Sequence, residues 1–152
     1  MPVFKAIANK LAMRRFKNLE QQQTEALIDA LAGAKAIDGR LLPVELEELL
    51  EITKKLDWDG DMMLDRYVDQ TVQRATELEP TEQNMLSFFG EIGERLGEDW
   101  LREETYYLCS RVALADDVIE EEERLFLKYL VQAFEIDPQR QALIIRKIRE
   151  EM

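Results

Sequence analysis

Two short acidic patterns hold most of the chemistry this sequence can offer. Asp38, Leu41 and Glu45 recur 78 residues later as Asp116, Ile119 and Glu123. In each copy an Asp is followed, after two positions, by an aliphatic residue and, after three more, by a Glu. Asp116, Asp117 and Glu120 to Glu123 place six carboxylates within eight residues. Charges that dense repel one another and shift some pKa values upward unless a cation sits among them. Composition removes most other chemistry. The 152 residues include no His and one Cys. That takes away the imidazole zinc ligand and the usual near-neutral acid or base. It also excludes an internal disulfide framework or a Cys-based zinc site. Cys109 has no His to activate it, so it is expected to be a small buried hydrophobe. Nothing marks a general base or a substrate pocket, and the chain is expected not to be an enzyme. The net charge of −12, from 20 Lys+Arg against 32 Asp+Glu, argues against nucleic acid as a partner, because phosphate binding needs a cationic footprint.

Helices must position these corners. Apolar residues recur at three and four throughout, and alternating β-branched runs are absent. A first helix gathers Phe4, Ile7, Ala8 and Leu11 on one side and Lys10, Arg14 and Lys17 on the other. A second runs from about Glu20 to Asp38-Gly39. Pro43 fits the first turn of a third, where its missing N–H costs nothing, and the third continues to Leu56. After a break at Asp57-Trp58-Asp59-Gly60, a fourth holds Met63, Tyr67, Val68, Thr71 and Ala75. Pro80 opens a fifth that ends at Gly97. A sixth spans Asp99 to Ala115, a seventh holds Leu127, Leu130, Val131 and Phe134, and Pro138 starts the last, with Leu143, Ile144 and Ile148. Gly90 and Gly93 are expected to permit close helix approach, Trp58 and Trp100 to anchor the core, and Tyr106 and Tyr107 to be partly exposed. With no linker or low-complexity stretch, residues 1–152 make a single domain, an all-α compact bundle of seven or eight helices.

The repeat extends beyond the acidic corners. Leu49 matches Leu127, Ile52 matches Leu130, and Leu56-Asp57-Trp58-Asp59 matches Phe134-Glu135-Ile136-Asp137. Segments 24–64 and 102–142 are therefore two helix–loop–helix hairpins. One hairpin cannot bury its own apolar faces; two related by a pseudo-two-fold can, and the corners then occupy related positions.

These corners resemble a known family. Ala115-Asp116-Asp117-Val118-Ile119-Glu120-Glu121-Glu122-Glu123 resembles the Ala-Asp-Gly-x-Ile/Val-x-x-x-Glu signature of the TerB-like tellurite-resistance family. Ile37-Asp38-Gly39-Arg40-Leu41-Leu42-Pro43-Val44-Glu45 is similar and keeps the Gly, with Ile37 where the signature has Ala; Asp117 replaces the Gly in the second copy. The resemblance implies an all-helical domain, a role in stress-response or membrane-associated systems, and a divalent-cation site built from the paired corners, with no defined reaction. Carried over residue by residue, the metal ligands would be Asp38, Glu45, Asp116 and Glu123, and the ion a hard one, Ca²⁺ or Mg²⁺, which takes oxygen ligands. Neither corner has the spacing of an EF-hand loop. The same residues also have a purely structural reading: Asp at a corner bonds backbone N–H groups, and Glu in a first helical turn suits the macrodipole and reciprocal capping. Two functions follow. One is a non-enzymatic TerB-like, cation-binding protein. The other is a protein-interaction adaptor whose acidic surface recruits a basic partner.

Charge is unevenly spread. Residues 1–19 hold Lys5, Lys10, Arg14, Arg15 and Lys17 and no acid. Contact with an anionic membrane surface is one reading of this helix. Packing on the acidic body is preferred, since one short basic helix binds lipid only marginally. No apolar run approaches the ~20 residues that span a bilayer, the N-terminus has no secretory signal pattern, and a lone Cys suits a reducing compartment. A cytoplasmic location is expected.

Overall fold

The computed structural model describes residues 2–36, 41–114 and 121–151, with the side chains of residues 2–4 outside that description. Eight α-helices form among the described residues: α1 (Pro2–Leu11), α2 (Gln21–Ala36), α3 (Pro43–Thr53), α4 (Leu64–Glu77), α5 (Glu82–Leu96), α6 (Asp99–Ala113), α7 (Glu121–Phe134) and α8 (Pro138–Glu151). A single 3-10 turn, Arg14–Phe16, follows α1. The all-α architecture is the one the apolar periodicity predicts. No helix among the described residues is long and apolar enough to cross a membrane.

α2 is the axis of the molecule. Twelve of its 16 residues are buried, so it has almost no solvent face, and a helix apolar all round belongs inside. Ala26, Ala30, Ala32, Gly33, Ala34 and Ala36 keep its profile narrow, which lets α3, α4, α5 and α6 all pack on it. α6 plays the matching part in the second half, touching α1, α2, α5, α7 and α8.

The helix contacts permute when the first four helices are exchanged for the last four. α1–α3 becomes α5–α7, α2–α3 becomes α6–α7, α2–α4 becomes α6–α8, α1–α6 becomes α5–α2, and α2–α6 maps onto itself. α5–α6 is the exception, and its cause is local: Gly97-Glu98 alone separates those two helices, whereas residues 12–20 separate α1 from α2. The permutation covers four helices per half, wider than segments 24–64 and 102–142. A sequence trace of the extra helix exists. Phe4-Lys5-Ala6-Ile7-Ala8-Asn9-Lys10-Leu11 parallels Phe89-Gly90-Glu91-Ile92-Gly93-Glu94-Arg95-Leu96, with Ile7, Leu11, Ile92 and Leu96 all buried. Full burial of such side chains contributes roughly 1.5–3 kcal/mol each.

Several local expectations are corrected. α5 starts at Glu82 rather than Pro80, because Thr81 Oγ1 accepts the Asn84 N–H at 3.2 Å and so caps it. Met63 precedes α4 and is 74% exposed. Leu143 is exposed because α8 turns its Ile144 and Ile148 stripe toward α6. Tyr106 and Tyr107 are buried, not partly exposed, since α6 is enclosed by five neighbours. A Cβ at Gly90 would meet nothing, so only Gly93 marks a close approach: its Cβ would lie 3.1 Å from the Phe134 ring. Gly97 ends α5 at φ 75°, as a C-terminal glycine should. Cys109 is buried as expected, its Sγ–H directed at Ala30 O at 3.5 Å, and burial pushes its thiol well above the ordinary value.

Candidate functional site

Of the four acids in the corner pattern, Glu45 and Glu123 fall among the described residues; Asp38 and Asp116 lie outside them. Glu45 stands in the first turn of α3. Its Oε1 accepts the Leu42 N–H at 3.1 Å, one arm of a capping box. Its Oε2 pairs at 2.8 Å with Lys35 Nζ, in the last turn of α2. Partial burial works against the charge, but Lys35 and the Leu42 N–H outweigh it and hold the Glu45 carboxyl below its usual range. Oε2 thus fastens α2 to α3 while Oε1 caps α3 itself, and a metal ion at Glu45 would have to displace an ammonium group. Glu123 stands in the first turn of α7 beside Glu121 and Glu122, where the helix dipole favours acids. The position on α6 that matches Lys35 is Ala113, which is buried. Among the described residues no group of three or more acidic or thiol side chains is arranged to hold a metal ion.

A second carboxylate, not singled out by any motif, lies at the centre of the first half. Asp29 on α2 is 3% exposed. Its Oδ1 accepts from Tyr67 Oη at 2.9 Å and from Thr71 Oγ1 at 2.6 Å, both on α4. Its Oδ2 accepts from Arg95 on α5 at 2.6 Å. Arg74 approaches Oδ1 at 3.8 Å from the solvent side. Burial disfavours the Arg95 charge, yet Asp29 more than compensates and keeps the guanidinium charged. Burial, and then the Asp29 carboxylate, push the Tyr67 hydroxyl well above its ordinary value, so it remains a donor. A cleft of about 700 Å³ opens beside this cluster, with Glu25, Gln70, Glu77 and Glu91 along its rim. Three hydrogen bonds from α4 and α5 converge on Asp29, which makes the cluster a tie between three helices. One signal in the sequence points to it: a lone acid inside the apolar run Ala26-Leu27-Ile28-Asp29-Ala30-Leu31.

A strongly acidic surface among the described residues includes α3. Residues 41–79 hold eleven acids and four bases, whereas α8 holds four bases and two acids. On α3 the acids Glu47 and Glu51 and the apolar Val44 (55%) are exposed, and so is Leu42 (58%), the residue before the helix. Between α1 and α3 runs a groove of about 380 Å³. Ala8, Val44 and Ile52 form its apolar part, Glu47, Glu48 and Glu51 its acidic edge, and Lys5 stands on the α1 side. Glu48 Oε2 is shielded from solvent and, among the described residues, accepts no hydrogen bond. The basic N-terminal segment itself is packed down: Lys10 pairs with Glu104 of α6 at 3.1 Å, Arg15 with the same carboxylate at 3.3 Å, and Phe16 meets Trp100 edge-on at 5.9 Å.

No family model, no curated protein and no solved structure matches this chain.

Proposed function

We propose that the protein is a non-catalytic interaction module that recruits a basic protein partner through the acidic surface of residues 41–79. The observation that supports this most is the exposed face of α3, where the exposed side chain of Val44 shares one groove with the exposed acids Glu47 and Glu51. Acidic groups around exposed apolar ones give both long-range attraction and a desolvating contact. Glu45 supports the structural reading of its corner, because its two oxygens already serve Lys35 and the Leu42 N–H. The likeness to TerB-like proteins rests on the corner motifs, and the divalent-cation reading depends on Asp38 and Asp116 as well as on Glu45 and Glu123.

One NMR experiment separates the two readings. Amide shifts are followed while a dodecalysine peptide, and separately millimolar Mg²⁺ or Ca²⁺, is added. The expected peptide response is concentrated on α3 and residues 54–61 and weakens with salt. Equal small shifts over all eight helices would overturn the recruitment reading. Saturable cation shifts confined to residues 38, 45, 116 and 123 would instead favour the corners as an ion site.

A further inference from the structure

Resting on that recruitment reading, we infer that the α1–α3 groove is a docking site for a basic amphipathic helix of the partner. Three features of the groove specify the occupant. Its base is apolar, formed by Ala8, Val44 and Ile52, so the guest must present apolar side chains on one face. Glu47 and Glu48 line one edge, with Glu51 one turn further along α3, so the guest must present cations along one flank at helical spacing. α3 has eleven residues and therefore runs about 16 Å, a length that matches three turns of guest helix.

Glu48 strengthens the assignment. A Lys or Arg entering the groove meets the half-buried Glu48 carboxylate at its edge, and a charge-assisted bond in a partly dry site is stronger than one at the open surface. The pseudo-equivalent pair shows what a filled interface of this type looks like. Between α5 and α7 the space is closed by Phe89, with Phe126 at 4.7 Å and Phe134 at 6.4 Å between ring centroids. At the 78-residue offset Phe126 is matched by Glu48 and Phe134 by Leu56, so neither ring has an aromatic counterpart on the α3 side of the groove.

The test uses an 18-residue Leu/Lys peptide with its leucines on one helical face. Two controls accompany it: the same residues rearranged so that the leucines are scattered, and a Leu/Glu version of the amphipathic pattern. Binding to the full chain is followed by fluorescence anisotropy at 0.1 M NaCl. Glu47→Lys with Glu51→Lys alters the groove; Glu94→Lys with Glu150→Lys makes the same change in net charge outside residues 41–79. All four positions are exposed, so both variants should fold, and their melting curves verify it. The expected result is at least tenfold weaker binding for the groove variant, less than threefold for the distant variant, and at least tenfold weaker binding of the scattered peptide. Equal losses in the two variants, or equal affinity for the two Lys peptides, would overturn the groove while leaving acidic recruitment in place. Failure of both Lys peptides to bind the parent chain, or binding of the Leu/Glu peptide as tightly, would overturn both.

Discussion

At Asp29 one carboxylate meets two hydroxyls from α4 and a guanidinium from α5. Removing one side of such an arrangement costs more than the interaction itself contributed, because the remaining buried groups are stranded. Asp29→Ala leaves Thr71 and Arg95 facing an apolar gap, and a loss of about 3–5 kcal/mol in urea unfolding is expected. Asp29→Asn keeps acceptor oxygen but not charge and should lose about 1–3 kcal/mol. A loss below about 1 kcal/mol for the Ala variant would show that Asp29 does not tie the helices together. This residue was only partly legible in the sequence. Its placement inside an apolar run is visible there, but its donors stand 38, 42 and 66 residues away, and no local pattern links them. Glu45 shows the opposite case. Its first-turn position and capping role follow from spacing alone, while Lys35 as its partner depends on the geometry of the hairpin.

Element boundaries follow local rules more closely than element neighbours do. Pro43 and Pro138 begin helices where the sequence places them, and Gly97 ends one. The two glycines of α5 look alike in sequence and differ in space. Gly90 faces open space, whereas Gly93 lies against Phe134 of α7. Which glycine serves packing depends on where α7 crosses, information held 40 residues downstream. Two substitutions read the difference. Gly90→Ala gains helix propensity without a clash and should stabilise by about 0.5–1 kcal/mol. Gly93→Ala has the same gain, but its Cβ at 3.1 Å forces the Phe134 ring to shift, and it should be neutral or destabilising. Chemical denaturation checks the order; equal stabilisation by both would place Phe134 farther from α5 than the structure has it. α7 itself ends on a non-glycine residue, Glu135, at φ 56°, held by bonds from Glu135 N to Gln132 O at 3.3 Å and from Ile136 N to Val131 O at 3.2 Å.

Across the whole molecule the two halves use the same seats with different chemistry. Tyr107 on α6 stands where Asp29 stands on α2, and Lys10 is the penultimate residue of α1 as Arg95 is of α5. One pair is an ion pair at 2.6 Å; in the other, the Lys10 ammonium lies 3.9 Å from the Tyr107 ring centroid. The pairs stand on helices that also pack against each other, since α2 touches α6, so the halves should fail together. Alkaline titration examines this. Burial and the Glu151 carboxylate push the Tyr107 hydroxyl up to about 12. Burial also raises Tyr106, though Ser110 partly offsets it, and burial and Asp29 raise Tyr67. For a phenol whose folded pKa is raised, the associated stability is complete below the unfolded value near pH 10 and disappears as pH climbs toward the folded value. The protein should therefore hold its helix signal to about pH 10 and lose it cooperatively over the next two units. Tyrosinate absorbance from these three residues should rise in that same step, because α4 and α6 cannot open separately. Circular dichroism and absorbance at about 295 nm, recorded on one sample from pH 9 upward, provide the comparison. Coincident transitions support a single cooperative body. Complete tyrosine ionisation at an intact helix signal would mean that the α4 and α6 seats are open to solvent and that the halves are joined only loosely.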